Sequence, residues 1–158
     1  FLAASIVPIA LTKVYFPNFV ERFVLDSRRA YMLFKNYFIA FSFYSLIAFL
    51  ILYFLSEQLI IIPYGDSFHD SIGSLKILSI ALPFIVLNRL VNYSLTGAKF
   101  YKYYFIISFS GSIINILCNF YLIPKIGING AAISTLATEA SILFLGLFKL
   151  STIFVNND

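Results

Sequence analysis

Four stretches, at about residues 37–55, 77–97, 103–123 and 130–148, carry almost no charge and are separated only by short polar breaks. At 1.5 Å rise per residue, a helix of that length crosses a hydrocarbon layer of about 30 Å. Inside lipid, every backbone N–H and C=O must find its partner within the protein, so such stretches are helices rather than strands. The expected fold is therefore all-α, a polytopic transmembrane helical bundle. Only 11% of the residues are charged and 61% are hydrophobic, whereas soluble domains hold about 25% charged residues.

The other composition signals exclude more than they assign. A net charge of +4 could suggest nucleic acid, but the lysines and arginines are scattered among connectors rather than gathered on one face, and no nucleic-acid partner is expected. The single Cys118 cannot form an intrachain disulfide. His69 near Asp66 and Asp70 is a weak metal signal, read as a solvated loop, so no metal is assigned. There is no nucleophile–base set, glycine-rich phosphate loop, H-E-x-x-H or paired-cysteine motif. No catalytic residue, enzyme activity or cofactor is therefore expected.

The opening run, about residues 1–12, is apolar but short for a span and lacks the basic leader of a signal peptide. It reads as the cut end of a helix, which would make the chain a carboxy-terminal piece of a larger protein. Residues 13–35 follow, with Phe16, Phe19, Val20, Phe23 and Val24 at helical spacing. That connector either lies along the membrane surface or extends the next span. Residues 57–74 read as an acidic loop, and Pro83 should kink the third span.

Counting Lys and Arg orients the bundle. Residues 13–35, 99–102 and the tail after Phe148 hold five, two and one, against Lys76 and Lys125 on the opposite face. By the positive-inside rule the first face is cytoplasmic, and the chain ends inside.

Two full charges, Arg89 and Glu139, fall within spans. Each costs about 2.5–3.5 kcal/mol at the bilayer centre, so something must offset them. Arg89 lies roughly 12 Å and Glu139 roughly 13.5 Å from the inner ends of their helices, and their matching depths predict an Arg89–Glu139 pair. Such a pair is either a static link between helices or a site that titrates or meets an anionic substrate. Asn88 and Asn92 flank Arg89. On the fourth span Ser108, Ser112, Asn115 and Asn119 form a polar stripe, echoed by Ser134, Thr138 and Ser141 on the fifth. These stripes serve either close helix packing or a water-lined path.

Two segments carry a family resemblance: residues 64–97, YGDSFHDSIGSLKILSIALPFIVLNRLVNYSLTG, and residues 115–139, NILCNFYLIPKIGINGAAISTLATE. In the second, Asn119, Pro124, Gly127, Gly130, Ala131, Ala132, Thr135 and Glu139 reproduce a recurring pattern of asparagine, proline, spaced glycines, small residues and glutamate. The physical reading is that Pro124 ends one helix, Gly127 makes the turn, and Gly130 to Ala132 let the returning helix press on its neighbour.

Both segments resemble the carboxy-terminal region of bacterial lipid-linked oligosaccharide flippases. These are O-antigen and capsule repeat-unit translocases of the multidrug/oligosaccharidyl-lipid/polysaccharide exporter superfamily. The resemblance implies about twelve helices in two lobes, with residues 1–158 forming the last part of one transmembrane transporter domain. It further implies a bacterial cytoplasmic (inner) membrane location and an undecaprenyl-diphosphate-linked oligosaccharide as substrate. Coupling to an ion gradient and work alongside polysaccharide assembly proteins follow from it as well. A drug or metabolite exporter of the same superfamily is the alternative, with a membrane polysaccharide polymerase or an interaction subunit behind it. Arg89, Glu139, Asn88, Asn92, Asn115 and Asn119 are the candidate transport-pathway or intramembrane polar residues.

Overall fold

The computed structural model describes residues 2–156, with side chains from 7 to 155. The described residues form six α-helices: α1 (Leu2–Leu25), α2 (Ser27–Phe54), α3 (Ser56–Tyr64), α4 (Ser71–Gly97), α5 (Tyr101–Ile126) and α6 (Ile128–Asn156). Between α3 and α4 runs a 3₁₀ turn, Asp66–Phe68. Four of the helices, α2, α4, α5 and α6, are long and apolar enough to cross a membrane. Helices α4, α5 and α6 each contain one of the apolar stretches and extend past it at one or both ends, and α2 covers the remaining one up to Phe54.

Several connectors differ from their sequence reading. The opening helix does not stop near residue 12; α1 continues to Leu25 through Pro8 and Pro17, while Phe1 lies outside the described residues. Residues 13–35 are thus the end of one helix and the start of the next, broken only at Asp26. There the backbone is extended (φ −165°), and Asp26 Oδ1 accepts the Arg28 N–H at 2.9 Å, capping α2. Residues 57–74 are not a loop: most belong to α3 and α4, because polar side chains do not by themselves end a helix. What ends α3 is Gly65, at φ 79°.

Pro83 lies within an uninterrupted α4. Likewise Pro124 does not end α5, which runs to Ile126; the stop is Gly127, whose φ of 60° favours glycine and whose N–H bonds the Ile123 carbonyl at 2.9 Å. Of the tail, Asn157 and Asp158 lie outside the described residues.

The core is centred on α4, whose Leu82, Val86, Leu90, Val91 and Leu95 are buried together with Tyr15 and Phe19 of α1 and Phe34 and Phe41 of α2. Helices α4 and α6 run parallel in a steady register. Ser74 Oγ donates to Asn129 Oδ1 at 2.7 Å near one end, Asn88 meets Glu139 midway, and Gly146 seats against Val91 beyond. On the far side, Tyr15 OH and Ser94 Oγ are 2.6 Å apart. Ser94 already gives its proton to the Leu90 carbonyl, so the Tyr15 hydroxyl donates, tying α1 to α4.

Helix α5 packs on α6 as the first half of a tight hairpin. A Cβ on Gly130 would lie 2.6 Å from the Leu122 carbonyl carbon and 2.9 Å from the Ile123 nitrogen. The two backbones therefore touch, as the small residues predict. The rest of α5 is open: only Ile107 and Gly111 are buried, and Phe105, Phe109, Ile116, Leu117 and Phe120 face outward. In water such a face would be a liability; in a bilayer it is ordinary. Two lysines rest on rings: Lys125, in the last turn of α5, has Nζ 3.5 Å from the Tyr121 centroid, and Lys149, about two turns before the end of α6, has Nζ 3.8 Å from that of Tyr103. That arrangement matches long cationic side chains reaching from an apolar belt to its boundary.

Candidate functional site

The six polar residues singled out from sequence fall on α4, α5 and α6, but the Arg89–Glu139 pair does not form. Among the described residues the one ion pair is Arg29 with Asp26, at 3.4 Å. Glu139 is instead held by Asn88, whose Nδ2 donates to its carboxylate Oε2 at 2.7 Å and to its backbone oxygen at 2.8 Å. The reason is azimuth. Successive residues on a helix point about 100° apart, so Asn88 and Arg89 cannot both face α6. Asn88 does, and is 4% exposed.

Arg89 points elsewhere. With Asn92, Tyr93 and Thr96 it forms a stripe at intervals of three, one and three, which is one face of a helix. These four side chains and Tyr104 of α5 line a groove of about 310 Å³ where α4 and α5 diverge. Tyr93 is braced by Phe16 of α1, edge-on at 5.6 Å between centroids. The Asn92 carbonyl is taken by the Thr96 hydroxyl at 2.9 Å.

On α5, Asn115 Nδ2 reaches Thr138 Oγ1 at 3.3 Å, and Asn119 Nδ2 donates to Asn115 Oδ1 at 2.9 Å. The serines of the stripe do less between helices. Ser112 is exposed and bonds the Ser108 carbonyl, while Ser134, Thr138 and Ser141 bond the carbonyls of Gly130, Ser134 and Ala137. Hydroxyls in apolar surroundings commonly back-bond in this way. The contact face of α5 toward α6 runs through Gly111 and Asn115.

Four buried polar atoms lack a hydrogen-bond partner among the described residues: Asn88 Oδ1, Arg89 Nε, Asn92 Oδ1 and Asn119 Oδ1. All belong to the six candidates. Leaving one such atom unsatisfied costs about 1–3 kcal/mol, more when it is charged; Arg89 and Asn92 share the α4 groove, whereas Asn88 faces α6 and Asn119 lies farther along α5. Sequence reasoning missed Tyr93, Thr96 and Tyr104. The spacing of Arg89, Asn92, Tyr93 and Thr96 was the available signal for the first two; nothing local pointed to Tyr104, which the turn after α4 brings back.

Comparison with known proteins gives one informative match. Over 81 residues, 51% of this chain, the sequence is 32% identical to a protein of Methanocaldococcus jannaschii described as an uncharacterized membrane protein. Together with four helices of spanning length, that decides the class. This is a multi-pass membrane protein. The aligned region amounts to 20% of the relative's length, so the chain spans only about a fifth of it. No family model matches, and no solved structure matches.

Proposed function

We propose that the chain is the carboxy-terminal part of a flippase that moves an undecaprenyl-diphosphate-linked oligosaccharide, an O-antigen or capsule precursor, across the bacterial cytoplasmic membrane. In this reading residues 1–158 belong to the second lobe of a twelve-helix, two-lobe exporter. The chain ends in the cytoplasm, and the complete protein acts with polysaccharide assembly proteins and a coupling ion. It is a transporter rather than an enzyme: no bond is made or broken. Its partners are the bilayer and the lipid-linked sugar.

The observation that carries the reading is Arg89, a guanidinium within an apolar span that no carboxylate neutralises among the described residues, opening on a groove with Asn92, Thr96 and two tyrosines. A lone cation at that depth is costly unless an anion visits it. A diphosphate supplies that anion, since guanidinium is planar and donates in pairs to phosphate oxygens. Asparagine, threonine and tyrosine groups beside it suit sugar hydroxyls. The segment 115–139, with its tight glycine hairpin and mid-helix glutamate, supports the same family.

In the complete protein at normal abundance, Arg89→Ala is expected to lower delivery of the precursor to the outer leaflet at least about tenfold, the value of one charge-assisted contact. Arg89→Lys, a point charge without the fork, should retain part of it. Unchanged delivery by Arg89→Ala would overturn the reading.

A further inference from the structure

Away from the polar cluster, α2 and α6 barely touch, and their divergence leaves two grooves joined at Tyr31. The first, about 610 Å³, is lined by Ser27, Arg28, Tyr31, Ser151, Phe154 and Val155. The second, about 270 Å³, continues along α2 past Phe34, Lys35 and Phe38 to Leu147 of α6. From Arg28 to Phe38 is ten residues, or about 15 Å along the helix. One groove is polar and cationic, at the end of two spanning helices; the other, apolar except for Lys35, lies deeper.

From this arrangement we infer that the α2–α6 cleft binds an anionic phospholipid, its phosphate at Arg28 beside the exposed Ser151 at the mouth and an acyl chain against Phe34, Phe38 and Leu147. Charge decides the occupant. Asp26, the carboxylate next to the first groove, is already engaged by Arg29 and by the Arg28 backbone N–H, so the Arg28 guanidinium is in no ion pair among the described residues. Lys35 adds a second cation one groove deeper, where it can reach the headgroup level. Each surface cation strengthens contact with anionic lipid, and a basic pocket between spanning helices on the lysine- and arginine-rich face is the form that headgroup recognition takes. Phe154, 7% exposed, walls the cleft and holds Tyr31 edge-on at 5.2 Å between centroids. The wall is thus fixed before a lipid arrives. This inference does not rest on the transport reading and can fail without it.

The test is native mass spectrometry of the complete protein incubated in detergent with phosphatidylglycerol or phosphatidylcholine at equal concentration. Phosphatidylglycerol should be retained preferentially. Arg28→Gln should lower its retention about fivefold, and Arg28→Gln with Lys35→Gln about twentyfold. Ser151→Trp, which fills the mouth at an exposed position without altering charge, should lower it as well and serves if Arg28→Gln fails to fold. Arg22→Gln, on the same basic face but outside both grooves, should change nothing. Equal retention of the two lipids, an equal loss with Arg22→Gln, or displacement of phosphatidylglycerol by the same concentration of inorganic phosphate would each overturn the site.

Discussion

Gly130→Ala should destabilise the bundle by about 2–3 kcal/mol, far more than one methyl group does at an ordinary helix position. The added carbon would sit 2.6 Å from the Leu122 carbonyl carbon, 2.7 Å from its oxygen and 2.9 Å from the Ile123 nitrogen, all backbone atoms that no side-chain rotation can move. The helices α5 and α6 would have to part, loosening the Asn115–Thr138 contact farther along. Two other glycines make the comparison internal. At Gly111 the nearest atoms are the Ile142 Cδ1 and Cγ1, 2.5 and 2.7 Å away, which a rotamer change relieves in part, so Gly111→Ala should cost less. At Gly73 the nearest atom is the Asn129 Oδ1 at 3.3 Å, and Gly73→Ala should be close to neutral. Unfolding in mixed detergent micelles ranks the three; the order Gly130, Gly111, Gly73 is the expected result.

Asn88→Leu should cost about 2 kcal/mol, and most of that should vanish when Glu139→Leu is added. Leucine has the same number of side-chain heavy atoms as asparagine and the same branch at Cγ, but it removes the donor of both bonds to Glu139, leaving a carboxylate inside an apolar span with nothing described to hold it. Neutral bonds between membrane helices are worth about 0.6 kcal/mol on average; a charged acceptor raises the stake. The double-mutant cycle isolates the pair. A parallel cycle of Arg89→Leu with Glu139→Leu should give a clearly smaller coupling, since Arg89 turns away from α6. A large coupling there with none at Asn88 would show that the two neighbours had exchanged roles.

That contrast marks how far the sequence could be read. Spans were legible because lipid forbids any other structure for 20 uncharged residues, and depth was legible because helical rise is fixed. Depth put Arg89 and Glu139 at one level correctly, but pairing also needs azimuth, and a residue's neighbour in sequence points a quarter-turn and more away. Asn88 rather than Arg89 was the partner for that reason alone. The connectors were misread for a different one: polarity in residues 57–74 and the proline at 124 looked like helix ends, whereas the actual stops are Gly65 and Gly127, the two glycines with positive φ. Of the groove, Arg89 and Asn92 stood out by polarity. Tyr93, Thr96 and Tyr104 did not, because in a chain this rich in aromatics a tyrosine carries little information until a fold places it.

The central claim, four helices threading a bilayer with connectors on alternate sides, is tested most directly by labelling single cysteines in intact cells. With Cys118→Ser as background, Ser67→Cys in the 3₁₀ turn, Lys99→Cys between α4 and α5 and Asn129→Cys at the start of α6 are treated with a membrane-impermeant maleimide. The account predicts labelling at 67 and 129 from outside, with 99 protected until the membrane is opened. Labelling of 67 and 99 alike in intact cells would contradict it.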